Sequence, residues 1–218
     1  MSDAVWISTA PGHASNQRPL RHSFSETEKR QYGIDCGRRN DSGESLDPEC
    51  FPSEIYGAPN AKESNYKLPN LFFAGSYWAV TKEAADVLRQ FDLGGGALYP
   101  VRLFKKDRVT PIEGEFFCIN FGNRKEAFLP DHSTSFREEY IRDGNKGWFS
   151  KATMKDDDFS VSRLALDGSD VWIDYNVGDS FFISDRLRSA FKKAKCDKGF
   201  FLNRCLVVSI PGTSIPGT

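Results

Sequence analysis

Histidine is scarce: three residues, His13, His22 and His132, in a chain of 218. None stands in HExxH or another ligand spacing, so the sequence offers no recognisable histidine metal site. The five cysteines are odd in number and show no CxxC pair, which disfavours both a disulfide framework and a thiolate zinc site. No apolar run approaches the length of a membrane span. The opening MSDAVWISTAPGH has neither the basic start nor the apolar core of a signal peptide, and a cytosolic protein is expected. The formal net charge of −1 argues against a general nucleic-acid coat, which needs a broad positive field. No serine sits in GxSxG and there is no Walker lysine. No cofactor is expected.

The composition, 39% hydrophobic and 27% charged, is that of a globular chain. Its clearest stretch is 171–208, which reads as strand, turn, capped helix and strand. Ser184 suits an N-cap, Asp185 the positive end of the helix dipole, and Lys192, Lys193 and Lys195 the negative end. Leu187, Ala190, Phe191 and Ala194 form an apolar stripe. Gly199 is placed for a left-handed helix exit, and CLVV for a buried strand. Earlier, LFFAGSYWAVT predicts a strand, or a strand pair broken at Gly75. Thr81 then caps a helix TKEAADVLRQF, stopped by Gly94, Gly95 and Gly96. That glycine run follows a helix, whereas phosphate-binding loops precede one. Strands are expected at 97–104 and 115–121, a polar and partly helical stretch at 122–147, and two further strands in FSVSRLAL and VWIDY.

Residues 4–9 make an opening strand. From Ala10 to about Asn70 the texture changes: six of the eleven prolines fall there, and irregular segments wrapped over the core are expected. One short helix, FSETEKRQYG, is predicted from the capping box of Ser25 and Glu28. Residues 1–67 are therefore an irregular segment packed on a 68–218 domain, the two making one structural unit. No internal repeat is visible. The fold class is α+β, with a mixed or antiparallel sheet and at least two packed helices.

Charge is unevenly placed. Between Asp156 and Asp185 there are eight aspartates against Arg163 alone, and between Arg186 and Arg204 seven basic residues against Asp197. Two solvated faces are the plain account; a partner-binding acidic patch, with Asp156, Asp157, Asp158, Asp170 and Asp174 as contacts, is the sharper one. His132 beside Asp131 could orient an imidazole for an enzyme of unrecognised type, although a loop histidine without a nucleophile is usually plain surface. The basic helix at 186–198 could bind nucleic acid.

The run VWIDYNVGDSFFISDRLRSAFKKAKCDKGFFL at 171–202, above all Trp172, Asp174 and residues 182–187, resembles the bacterial immunity-protein family catalogued as immunity family eleven, formerly a domain of unknown function. YWAVTKEAADVLRQF at 77–91 and LYPVRLF at 98–104 follow that family's order, so the resemblance runs from about Leu68 to the end. It implies a protein that sits beside a polymorphic toxin, such as an effector of contact-dependent secretion, and protects the producer by binding it. The family pattern transfers no contact residue. A toxin with a cytosolic target, a nuclease foremost, would present the basic surface that an acidic patch can meet. Neither direct nucleic-acid binding nor a membrane is then expected.

Overall fold

A computed structural model describes residues 4–25, 28–142, 145–151 and 153–209. Among these, the first half of the chain supplies strands β1 (Val5–Ser8), β2 (Leu20–His22), β3 (Glu54–Gly57), β4 (Leu71–Ala74), β5 (Tyr77–Thr81), β6 (Ala97–Phe104) and β7 (Phe116–Asn120). The second supplies β8 (Arg124–Lys125), β9 (Phe136–Arg142), β10 (Asn145–Ser150), β11 (Ser160–Ser162), β12 (Val171–Asp174), β13 (Phe181–Ser184) and β14 (Leu202–Val208). Three α-helices, α1 (Arg30–Asn40), α2 (Lys82–Leu88) and α3 (Asp185–Ala194), complete an α+β fold with mixed sheets.

The strands make two six-stranded sheets, ordered β2-β3-β6-β7-β5-β4 and β11-β14-β1-β13-β12-β8. The two are the same structure twice. In each, the first strand of a hairpin pairs antiparallel with the second (β4 with β5, β12 with β13). The second pairs antiparallel with a central strand (β7, β1), which pairs antiparallel with the strand after the helix (β6, β14). That strand pairs parallel with an outer strand (β3, β11). One short stretch joins the two edges of each sheet. Gln17 bridges Phe73 on β4 while β2 pairs with β3; β8 pairs with β12 while Phe128 bridges Val161 on β11. Each sheet therefore closes on itself, which removes its open edges.

Equivalent hydrogen bonds mark the repeat. The Thr81 amide donates to Asn70 O (3.1 Å), as Ser184 donates to Asp170 O (3.0 Å). The Phe73 amide donates to Asn16 O (3.0 Å), as Ile173 donates to Asn123 O (2.9 Å). The halves also clasp one another: Asn70 N donates to Lys198 O (3.0 Å), behind α3, and Asp170 N donates to Asp92 O (2.7 Å), behind α2. The sequences of the halves diverge while the backbone ties persist, so the expectation of no internal repeat is corrected.

Burial follows this plan. One apolar cluster fills the first closed sheet, around Ile55, Phe72, Ala79 and Leu103, and one fills the second, around Ile7, Phe159, Trp172 and Phe182. The third lies between them and takes in both packed helices, with Leu88, Leu187 and Phe191. The α3 stripe is borne out at its two large residues: Leu187 and Phe191 are fully buried, each contributing about 1.5–3 kcal/mol by leaving water, while Ala190 is half-buried and Ala194, in the last turn, is exposed. Ser184 caps α3, accepting from the Leu187 amide at 3.3 Å.

Several expectations need correction. The N-terminal third is threaded through the core, because β1 lies between β13 and β14 and β2 and β3 belong to the first sheet. Its helix begins at Arg30, not at Ser25, whose hydroxyl accepts from the His22 amide in a turn; residues 26 and 27 lie outside the described residues. Helix α2 stops at Leu88. The left-handed exit of α3 is carried by Lys195 (φ +56°), ahead of Gly199. In β14 only Cys205 is buried, since the outer face of this closed sheet meets solvent. The described residues of 122–147 hold β8, a 3-10 turn, β9 and the start of β10 rather than an α-helix. Gly94–Gly96 lie beyond the end of α2 at Leu88 and do not stop it, which corrects their reading as a helix stop; a Cβ on Gly95 would sit 2.6 Å from Gly122 O, a backbone approach that only glycine permits.

Candidate partner interface

The acidic turn at 155–158 is built by its own carboxylates. The Asp158 carboxylate accepts from the Lys155 amide (2.9 Å) and the Ser135 hydroxyl (2.7 Å), and these bonds hold its pKa below the ordinary range, the Lys155 amide contributing most. Asp156 accepts from the Arg204 amide on β14 (2.8 Å). Asp157, at φ +67°, receives the Arg204 guanidinium on both oxygens, with Nε at 2.9 Å, which also lowers its pKa. Asp156 and Asp157 are exposed and Asp158 is half-buried. The turn is thus clipped to β14, and part of its charge is already answered by Arg204.

Next to it stands the β9–β10 hairpin, paired antiparallel from Phe136–Ser150 to its far end. Its base is aromatic: Phe136 and Trp148 meet edge to face at 5.0 Å, and both pack on Phe128 of the second core. The Thr134 amide donates to Asp158 O (2.7 Å) and the Lys151 amide to Ser135 O (2.8 Å), so arm and acidic turn share one foundation. Residues 137–140 are exposed on both faces, and Tyr140 is 73% exposed. Glu138 pairs with Lys146 (2.8 Å) and Glu139 with Arg137 (2.5 Å). Arm and turn form one protruding surface with an aromatic side chain near its far end and carboxylates at its foot.

The other two aspartates lie elsewhere. Asp170 and Asp174 are each 1% exposed, so neither has a surface to offer a partner, and their place among the contacts is corrected. Asp170 accepts from Arg186 Nε (2.6 Å) and Nη2 (2.7 Å), the Asp92 amide (2.9 Å) and the Ser184 hydroxyl. A buried charge needs such partners. Asp174 accepts from the amides of Ala127 (2.7 Å), Phe128 (2.8 Å) and Asn176 (3.0 Å), holding the stretch that closes the second sheet. Burial raises its pKa against the pull of those amides.

His132 and Asp131 stand exposed on the 3-10 turn Pro130–His132; the His132 carbonyl accepts from the Ser160 hydroxyl (2.6 Å), which ties the backbone of the turn to β11. The buried histidine is His22, in the first closed sheet, where loss of solvent lowers its pKa to about 4. On α3, Arg186 is committed to Asp170 and Arg188 lies over the Trp6 ring at 4.1 Å, while Lys192, Lys193, Lys195 and Lys198 are exposed. Among the described residues no group of three or more His, Cys, Asp or Glu is arranged to hold a metal ion, and no helix is long and apolar enough to cross a membrane. The hairpin and Arg204 were missed by sequence reasoning. The Asp143-Gly144 dipeptide between aromatic-bearing stretches was the available signal.

Neither the models of protein families nor the curated proteins include a match to this chain.

Proposed function

We propose that this chain is a cytosolic immunity protein that binds and neutralises a cognate bacterial toxin, with a nuclease as the leading candidate, by stoichiometric inhibition. The reading rests on the resemblance of 171–202, 77–91 and 98–104 to an immunity family, and one observation of geometry carries it further. The β9–β10 arm holds Tyr140 at 73% exposure on an aromatic base, with Asp156 and Asp157 exposed at its foot. An exposed tyrosine on a preorganised arm makes a good interface anchor, because little conformational freedom is lost on docking. Carboxylates beside it suit a partner whose own surface is basic for phosphate binding. The arm would enter or cover the toxin's nucleic-acid groove.

The test is co-expression and co-purification with the product of the adjacent gene. A one-to-one complex and rescue of growth are expected. Tyr140→Ala is expected to weaken binding by roughly 10-fold or more, the effect of losing an interface anchor. Two folded proteins that form no complex, together with no rescue, would reject the proposal. Full rescue with unchanged affinity in Tyr140→Ala would retain an immunity function but move the interface off the arm.

A further inference from the structure

We propose that Cys36 and Cys50 are a redox modification site, a thiol pair that closes reversibly to a disulfide between α1 and the turn preceding β3. Their sulfurs are 2.7 Å apart, well inside the contact distance of two thiols and close to the roughly 2.05 Å of an S–S bond. Both residues are buried, at 1% and 6% exposure, on elements that neighbouring groups hold together. The Tyr77 hydroxyl stands 3.0 Å from Gly33 O on α1 and 2.8 Å from Cys50 O. Tyr32 links the pair to the solvent side, its hydroxyl 3.6 Å from Cys50 Sγ and the residue as a whole 44% exposed, so a small oxidant has a short way in. The segment between the thiols carries Asn40, whose carboxamide donates to Ile119 O (2.8 Å) and accepts from the Phe121 amide (2.9 Å) and from Asn120 Nδ2 (2.9 Å). A cross-link here fastens α1, which Asn40 ties to the end of the central strand β7, to the Pro48–Cys50 turn.

The chemistry is a two-electron oxidation. The Cys36 or Cys50 thiolate adds to the N=N bond of a diazene oxidant such as diamide. The second thiolate displaces the nitrogen from sulfur, forming the S–S bond, and both thiol hydrogens end on the hydrazine. In a cell, oxidised glutathione would play the same part by thiol–disulfide exchange, with two molecules of reduced glutathione released. Because the thiolate is the reacting form and burial pushes the Cys36 thiol up to about 11, the reaction is slow at neutral pH and quickens toward that value.

The full chain treated with diamide, alkylated under denaturing conditions and digested without reductant decides the matter. A peptide linking Cys36 to Cys50 is expected, with Cys118, Cys196 and Cys205 alkylated. The melting temperature should rise by roughly 5–10 °C, as for closure of a loop of this size, and return on treatment with a phosphine. Cys50→Ser should show neither the link nor the gain. Alkylation of both Cys36 and Cys50 after oxidation, or linkage of either to another cysteine, would overturn the proposal. The wild-type peptide map decides alone should Cys50→Ser fail to fold.

Discussion

Asn70 and Asp170 occupy the same place in the two halves of the molecule. Each precedes the first strand of a hairpin, accepts the amide of the residue just before a helix (Thr81 or Ser184) and donates its own amide to the loop behind the other half's helix. Their side chains make the same contact in opposite senses: Asn70 Nδ2 donates to Thr81 Oγ1 at 3.0 Å, whereas the Asp170 carboxylate accepts from Ser184 Oγ. The charge of Asp170 is what distinguishes the second half, and Arg186 answers it.

Asp170→Asn reproduces the first half's residue and keeps an acceptor, while losing the charged fork to Arg186. Because the Arg186 side chain is 59% exposed and can turn to water, a loss of about 1–2 kcal/mol is expected. Asp170→Ala strands the Asp92 amide and the Ser184 hydroxyl and should cost about 3 kcal/mol. Urea titration of both variants checks this. Equal losses would mean that the charge, and not the tie, holds the halves together.

His22 lies opposite Ile55 as Phe128 lies opposite Val161, so a histidine fills the place of a phenylalanine. Its Nδ1 is buried without a partner among the described residues. Since the folded pKa, about 4, is below the ordinary 6.5, the unfolded chain takes up a proton first as pH falls. The histidine's contribution is complete above about pH 6.5 and is lost toward pH 4. His22→Phe should therefore flatten that part of the stability profile, read as melting temperature between pH 7.5 and 4.5. An unchanged profile would show that another group governs the acid limb.

Phe191 on α3 and Leu88 on α2 meet in the cluster between the halves. Phe191→Ala should cost about 3–5 kcal/mol and Leu88→Ala about 2–5 kcal/mol. A loss under about 1 kcal/mol for Phe191→Ala in a denaturant titration would mean that α3 does not dock on this core.

What was legible in the sequence is local. Ser184, Leu187 and Phe191 announce α3 because cap and stripe are set by neighbours along the chain, and LFFAGSYWAVT announces its hairpin through Gly75, which adopts φ +69°. What was not legible is pairing across distance. Val5–Ser8 meets Cys205 and Ser184, nearly a full chain length away, and no local pattern encodes that register. The repeat escaped notice because its equivalent positions carry different side chains, as at Asn70 and Asp170 or His22 and Phe128, while the equivalence resides in backbone bonds. Asp170 and Asp174 looked like surface charge for a related reason: their neutralising donors, Arg186 and the amides of Ala127 and Phe128, are supplied by folding.

The last prediction concerns the acidic turn. If Asp156, Asp157 and Asp158 steer a basic toxin, their joint change to Asn should slow association more than it hastens dissociation. Each carboxylate accepts N–H or O–H groups at home, and Asn keeps one acceptor oxygen, so the clip to the Arg204 amide and the bonds from Lys155 or Ser135 can persist while three charges are lost. The fold should therefore survive, which circular dichroism and melting would register. Arg204 already answers Asp157, so most of the effect should come from Asp156 and Asp158. Steering by exposed charge is screened over roughly 8–10 Å at ordinary ionic strength, and the difference between wild type and mutant should shrink as salt is raised. Association rates with the purified partner at low and high salt supply the measurement. Equal rates at low salt would leave the turn a structural clip on β14 and place recognition on Tyr140 and the arm alone.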